Sequence, residues 1–445
     1  MPTALTTTGF NQETFDSFLA ARREPAWLTA LRRAAWAKFQ DLPWPHAGME
    51  EWRRTDIRTF RLSKFAPPTA ERPGDGKRLP ALLAEGVDLA GSSATYNSLP
   101  GEASVDPALA KSGVIFGSLD RLVNEHGDLV RKHLLTRAVD PSYDALAALH
   151  AAFWSGGTLL YVPRGVAVEK PLHILAAMGD GAVDFSHTLI VLEEDAEATV
   201  MAETAGGGSG AQSGGLHSGG LHCGAVEIIV GPRARLRYVN LQNWERTVWH
   251  FAHHKALVEQ DGRIQWTIGA LGSKLSKVNQ HVALIGPGAE AQVNGVMFTE
   301  GRQHLNYHTL QHHEAPSCKS DLLYKGALQD QSRLVWRGMI KVDPGAQKTD
   351  GYQRNDNLML SDHARADSIP GLEIEADDVR CTHGATTGRV DDETIFYLRT
   401  RGLTRKEATR MIVSGFFQQV FDRITIESVR EALGQAIGRR IREYT

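Results

Sequence analysis

The chain has 445 residues, of which 42% are hydrophobic and 23% charged, and its formal net charge is −3. This composition is typical of a globular protein, and the length predicts two or three domains or one long repetitive domain with appendages. The weak net charge argues against nucleic acid as a partner, because nucleic-acid-binding domains are strongly basic. No stretch approaches the roughly 20 apolar residues of a membrane helix, so we expect no membrane partner.

The N-terminus and the cysteine content predict a location. The start, MPTALTTTGF, lacks the basic segment and apolar run of a secretory signal. The three cysteines are too few for a disulfide framework. We therefore expect a cytoplasmic protein.

Residues 1–155 are predicted to form an N-terminal helical region with a linker. Apolar residues recur at helical spacing at Leu28, Leu31, Ala35 and Phe39. Pro and Gly mark a linker around residues 66–81. Further helices are predicted over about 117–137 and 142–154, the second ended by Gly156-Gly157.

Residues 156–388 are predicted to form a β core. Short alternating apolar runs, such as SRLVWRGMIKVDPGAQ, are separated by turns, with no helical pattern between them. Many strands without helical crossovers indicate a sandwich, a barrel or a solenoid. Recurring turns with weak internal similarity favour a β-helix, with a large sandwich as the alternative.

A Gly/Ser-rich insert, AGGGSGAQSGGLHSGGLH, interrupts this core at residues 205–222. Its composition predicts a flexible loop. The repeated Gly-Gly-Leu-His, with His217 and His222, suggests metal binding only weakly, because Cys223 is the one thiol or acidic group nearby. We assign the insert no function.

Residues 389–445 are predicted to form a C-terminal helical region. Asp391 or Asp392 can cap a helix that Gly402 ends. The stretch from Thr404 to Glu407 has the form of a capping box, which opens a second helix. A last helix is indicated by apolar residues at i, i+4 spacing from Val429 to Ile441.

The segment RCTHGATTG contains the main candidate site, Cys381 and His383. On a strand these two side chains share one face, roughly 6–7 Å apart. Thiolate and imidazole are ligands for zinc, copper and iron–sulfur clusters. Two ligands do not complete a coordination sphere, so the others must come from elsewhere in the chain, a second chain or a substrate.

Other readings of the cysteines and histidines stay open at this point. A free cysteine often only fills core space, and a strand histidine is often structural. A Cys–His hydrolase dyad is less favoured, because same-face neighbours on one strand stand too far apart for a hydrogen bond. The clusters VWHFAHH and QHLNYHTLQHH are interpreted as structural or surface histidines. No phosphate-binding or dinucleotide-binding glycine motif is present, so no nucleotide is expected on this chain.

Several long stretches resemble the SufB/SufD family of iron–sulfur cluster assembly proteins. They include SGGTLLYVPRGVAVEKPLHI, LQNWERTVWHFAHHKALV, DDETIFYLRTRGLTRKEATRMIVSGFF and the run from KSDLLYKGALQDQSRLVWRGMIKVDPGAQ to ADDVRCTHGATTG. Within the family the form ADDVRCTHGATTG is SufD-like. SufB-type sequences carry a cysteine in the stretch that matches QRNDNLML, where this chain has Asn355.

The resemblance implies a mainly β fold, with a right-handed parallel β-helix core between helical ends. It implies a non-catalytic scaffold in a complex with one SufB-like chain and two copies of a SufC-like ATPase. The β-helix ends of SufB and SufD would pair, and residues 391–424 would dock the ATPase. His383, with Cys381 beside it, becomes the candidate ligand for a transient iron–sulfur cluster shared with the SufB-like partner.

Three alternatives remain at this point. The chain could be a β-helical carbohydrate-active enzyme or acyltransferase, or an architectural adaptor that never binds iron. The isolated chain could also form a homodimer through its pairing edge. Which sulfur donor or flavin takes part, and whether Cys381 binds iron, does not follow from the sequence.

Overall fold

The computed structural model describes residues 9–68, 81–206 and 219–441. The helices in these ranges are α1 Gln12–Ala20, α2 Ala26–Asp41, α3 Pro107–Lys111, α4 Leu119–Glu125, α5 Gly127–His133, α6 Ala145–Phe153, α7 Asp392–Thr400, α8 Arg405–Phe421 and α9 Glu427–Arg440. The strands are β1 Gly91–Tyr96, β2 Leu99–Val105, β3 Ile115–Ser118, β4 Gly157–Val162, β5 Leu172–Met178, β6 Val183–Asp184, β7 His187–Leu192, β8 Glu197–Gly206, β9 Leu221–Val230, β10 Arg235–Trp244, β11 Trp249–Val258, β12 Arg263–Ala270, β13 Leu275–Leu284, β14 Glu290–Thr299, β15 His304–His313, β16 Lys319–Leu328, β17 Arg333–Val342, β18 Thr349–Met359, β19 Arg365–Ile374 and β20 Val379–Arg389.

The centre of the molecule is a β-solenoid made of two facing parallel sheets. From β8 onward the even-numbered strands pair in sequence order in one sheet, which ends at β20. The odd-numbered strands from β7 to β19 do the same in the other sheet, which ends at β19. Each pair of consecutive strands therefore forms one rung, which stacks on the rung before it.

Strand alternation sends every second side chain into the space between the sheets. Aromatic rings fill much of this interior, at Tyr238, Trp266, Tyr307, Tyr324 and Trp336. The tight turns between strands place polar residues in the left-handed region, for example Asp261 with φ of 54° and Asp330 with φ of 58°. Asp tolerates this conformation better than apolar residues, which explains its use at the corners.

Helices cover the outer faces of both sheets. The N-terminal helices pack on the sheet of odd-numbered strands through Phe15, Trp36 and Phe153, which lie in one core with Phe251 of β11. The C-terminal helices pack on the other sheet, where Phe417 of α8 shares a core with strand residues. None of the helices in the described ranges is long and apolar enough to cross a membrane.

These observations confirm the predicted fold class, a mainly β solenoid between helical regions. The predicted caps are also present, because Asp391 accepts hydrogen bonds from the N–H groups of Glu393 and Thr394, and Thr404 and Glu407 form a capping box. The N-terminal 155 residues are not purely helical, since β1, β2 and β3 lie within them. In the Gly/Ser insert, β8 ends at Gly206 and β9 begins at Leu221, and His217 lies outside the described residues.

Candidate functional site

Cys381 and His383 both lie on β20, the last strand of its sheet. As the alternation of the segment predicts, they occupy the face of β20 that points into the space between the sheets. Cys381 packs, with Val379, against the buried side chains Ile340, Val342, Ala346 and Ala376. It is therefore half-buried, whereas His383 is exposed.

His383 occupies the end of a row that is buried in every earlier rung. In the strand registers the residues that precede it in this row are Val200, Tyr238, Trp266, Val293, Leu322 and Gln353. All six are at most 1% exposed. His383 is exposed only because no described strand pairs with the free edge of β20.

The Cys381 thiol is held in its protonated form. Burial raises its pKa, and the charge of Asp350 raises it further, while a hydrogen bond from the backbone of Gly351 works in the opposite direction. A thiol with a raised pKa is a poor nucleophile at neutral pH. A metal ion that binds this sulfur must first displace the proton, because the thiolate is the form that ligates.

A polar network joins β18 to β19 at the exposed end. Asn357 Nδ2 donates to Asn355 Oδ1 at 2.8 Å and to Ser368 Oγ at 2.9 Å, and Ser368 Oγ donates to Asn355 Oδ1 at 2.5 Å. Gln353, the register partner of His383, donates from Nε2 to the carbonyl of Gly371. These bonds fix the side chains on which the Cys381 and His383 strand rests.

Asn355 belongs to this network and is fully buried. Its Nδ2 donates to the carbonyl of Tyr324, and its register partner on β20 is Ala385. At this position the chain has a hydrogen-bonded amide. Asn355 therefore helps to fix the side chains of this network and supplies no thiol for a metal ion.

The other half of the exposed end is apolar. On β19, Leu372 is 37% exposed and Ile374 is 40% exposed. Their register neighbours on β17, Ile340 and Val342, are fully buried. The sequence contains the apolar alternation of Leu372 and Ile374, but this pattern does not reveal that the rung is the last one.

The side chain of His383 makes no hydrogen bond or ion pair with any residue of the three described ranges. Within those ranges no three His, Cys, Asp or Glu side chains are arranged to hold a metal ion. Cys381 and His383 thus offer two donors, and a complete coordination sphere would need donors beyond the described residues.

Strand alternation places the remaining histidine and cysteine candidates on opposite faces of the sheet. His222 faces the interior, where its Nδ1 lies 2.7 Å from Nδ1 of His250. Cys223 points to the opposite face, where its Sγ contacts the carbonyl of Leu146. His253 bonds Asp144 on the outer face. Alternation therefore keeps His222 and Cys223 from acting together.

The C-terminal helices carry the exposed aromatic side chains of the predicted docking segment. Phe396 is 68% exposed and Tyr397 55% exposed on α7, and Met411 is 59% exposed on α8. The opposite face of α8 is buried through Val413 and Phe417. A helix pair that buries one face and exposes large apolar groups on another is typical of a binding surface.

Comparison with known proteins agrees with this architecture. Residues 174–416 match the SufBD core domain of the SUF system for FeS cluster assembly, and residues 95–174 match the N-terminal region of SufBD proteins.

The chain is 29% identical over 444 residues to the iron–sulfur cluster assembly protein SufD of Bacillus subtilis, covering 97% of this chain and 98% of that protein. It is 36% identical over 303 residues to an iron–sulfur cluster assembly SufBD family protein of Mycobacterium tuberculosis, covering 66% and 73% respectively. A SufBD family protein of Staphylococcus epidermidis is 28% identical over 417 residues. The chain therefore belongs to the SufBD family of the SUF iron–sulfur cluster assembly system.

Proposed function

We propose that this chain is a SufD-type scaffold subunit that pairs with a SufB-like protein through the exposed end of its solenoid. The observation that carries the proposal is the last rung, where rows that are buried in every earlier rung end in exposed side chains. The outer edges of β19 and β20 are long, and no described strand pairs with their backbone groups beside Leu372 and Ile374. Such an edge is a template for another strand, and proteins rarely leave one uncovered.

We further propose that Cys381 and His383 donate ligands to an iron–sulfur cluster assembled at this junction. The cluster is the cargo of the complex, transient and shared with the partner. The geometry supports this role because a strand added to the edge of β20 would lie about 4.8 Å from His383. Donor groups on that strand could then complete the coordination sphere that Cys381 and His383 leave incomplete.

The ATPase of the proposed complex is a SufC-like protein that docks on α7 and α8. Exposed Phe396, Tyr397 and Met411 support this assignment, because aromatic and methionine side chains are enriched in interface cores. The sequence contains no phosphate-binding loop, so ATP hydrolysis falls to the partner. We expect this chain to be non-catalytic and to work in the cytoplasm.

The test is reconstitution of the complex from this chain and the SufB-like and SufC-like proteins of the same organism. His383→Ala should leave the complex assembled and remove most of the cluster that builds up on it. The matched control is His363→Ala, which removes an exposed histidine from a turn near the same end. Failure of the three chains to co-purify, or full cluster yield with His383→Ala, would contradict the proposal.

Mössbauer spectra of the loaded complex separate the scaffold from an adaptor that never touches iron. The scaffold predicts that the His383→Ala spectrum loses a nitrogen-ligated iron site that is present in the unmodified complex. Identical spectra from the two complexes would favour the adaptor. Cys381→Ser tests in the same way whether the neighbouring sulfur binds iron.

A further inference from the structure

A cleft lies on the outer face of the sheet of odd-numbered strands and extends to Glu373 of β19. Its volume is about 310 Å³, which is at the lower end of the range for small-molecule sites. Four strands form its floor. A loop that runs from Ala138 to Tyr143, together with Glu51, forms one wall. These parts come from distant regions of the chain.

One register row of the cleft floor has a polar half and an apolar half. Lys255 of β11 is paired with His281 of β13, His281 with Leu310 of β15, and Leu310 with Met339 of β17. Neighbouring strands are about 4.8 Å apart, so the row is roughly 14 Å long. A small amphipathic molecule lying along it would meet two nitrogen donors and then two apolar side chains.

The polar half has positive charge and free hydrogen-bonding capacity. Lys255 is half-buried and forms no ion pair with a described residue. His281 Nε2 is buried and has no hydrogen-bond partner in the described ranges. Burial lowers the pKa of His281 to about 3, and the charges of Lys255 and His312 act in the same direction. The ring is therefore neutral at pH 7 and lies in a positive local potential.

The acidic groups that line the cleft already have partners. Glu51 accepts a hydrogen bond from the Tyr143 hydroxyl, and Glu373 pairs with Lys341 at 2.9 Å. Asp140 accepts from the backbone N–H of Ser142. Of these three carboxylates only Asp140 acts on the charge of Lys255, as do Glu314 and Glu227 outside the cleft lining. None of them forms an ion pair with Lys255, so its ammonium group remains available to a ligand.

We propose that this cleft binds a small organic anion, a carboxylate or a phosphate ester, with its charged head on Lys255 and His281 and its apolar body on Leu310 and Met339. The ammonium and the imidazole N–H would supply two hydrogen bonds to the oxyanion, at least one of them charge-assisted. An unpartnered buried ring nitrogen is costly to leave unsatisfied, and the anion removes that cost. This inference is independent of the cluster scaffold, because the cleft and the Cys381–His383 face lie on different sheets.

Titration calorimetry of the full chain tests the proposal with four probes: phenyl phosphate, benzoate, inorganic phosphate and benzyl alcohol. We expect saturable binding of one molecule of phenyl phosphate or benzoate, whichever head the site prefers. Benzyl alcohol should bind at least about tenfold more weakly, since it lacks the charge that Lys255 recognises. Absence of saturable binding by both organic anions would overturn the proposal.

Variants then locate the binding. Lys255→Met should weaken the preferred anion about tenfold or more, while Lys319→Met, an exposed lysine on the other sheet, should leave it unchanged. Met339→Ala should lower the affinity for the organic anion and leave the affinity for inorganic phosphate unchanged. If circular dichroism shows that Lys255→Met is misfolded, His281→Gln replaces it and should also reduce affinity. Unchanged affinity in a folded Lys255→Met or His281→Gln variant would place the anion elsewhere and overturn the proposal.

Discussion

The two ends of the solenoid are built differently. At the N-terminal end the last strands of both sheets, β2 and β3, are short and antiparallel to their neighbours. Helix α4 packs on β3, β4 and β7, and Leu109 of α3 packs against the interior core. At the C-terminal end β19 and β20 are long and parallel, and no strand of the described ranges pairs with their outer edges.

This difference between the two ends supports the proposed pairing through the C-terminal end. A solenoid that works alone needs a polar cap at each end, because a terminal rung otherwise exposes its interior face. The N-terminal end has such a cover. The C-terminal end instead exposes Leu372, Ile374 and His383 at interior positions.

The largest expected effect is a loss of stability, and it should differ between the middle and the end of the register row that leads to His383. Trp266→Ala removes a fully buried indole and should lower the free energy of unfolding by about 3–5 kcal/mol. His383→Ala, at the exposed end of the same row, should change it by less than about 0.5 kcal/mol. Chemical denaturation of both variants measures the contrast. A large loss of stability in His383→Ala would mean that the histidine serves the fold.

The second prediction tests whether the exposed end is the interface with the SufB-like partner. Leu372→Asp should weaken association with the SufB-like partner by about 3 kcal/mol or more, because pairing would bury an unpaired carboxylate. Glu373→Ala, whose side chain points to the opposite face of the same strand, is the control and should pair normally. Sedimentation velocity measures how strongly each variant associates with the SufB-like protein. Normal pairing by Leu372→Asp would exclude this end as the interface.

The C-terminal helices offer a smaller effect. Phe396→Ala should weaken binding of the SufC-like ATPase by about 2 kcal/mol and leave SufB pairing unchanged, as expected for an aromatic anchor. Gln419→Ala, an exposed position on α8, should have no effect. Affinity is measured by titration of the purified ATPase. If Phe396→Ala binds the ATPase normally, the docking surface lies elsewhere.

Acid should destabilise the packing around α5, where His133 is buried. Burial lowers the pKa of His133 to about 4, with further lowering by Lys132 and Arg137. The unfolded chain, with a histidine pKa near 6.5, binds this proton first. Stability should therefore fall as the pH drops from 6.5 towards 4, by up to about 1.4 kcal/mol per pH unit from this residue. His133→Leu should reduce that slope in denaturation curves, and an unchanged slope would contradict the assignment.

Features that depend only on nearby residues in the chain can be predicted from the sequence. Alternation places Cys381 and His383 on one face, and the helix caps at Asp391 and Thr404 follow from short motifs. The sequence does not reveal where pairing stops, because a terminal strand has the same alternation as an internal one. The anion cleft is also hidden, because Tyr143 and His281 meet only after the N-terminal region folds onto the sheet.

Amide hydrogen exchange of this chain, alone and mixed with the SufB-like protein, tests the central claim most directly. The account predicts that the amides of β19 and β20 become protected on mixing, while those of β2 at the other end exchange as before. A complex that forms without new protection in β19 and β20 would contradict it.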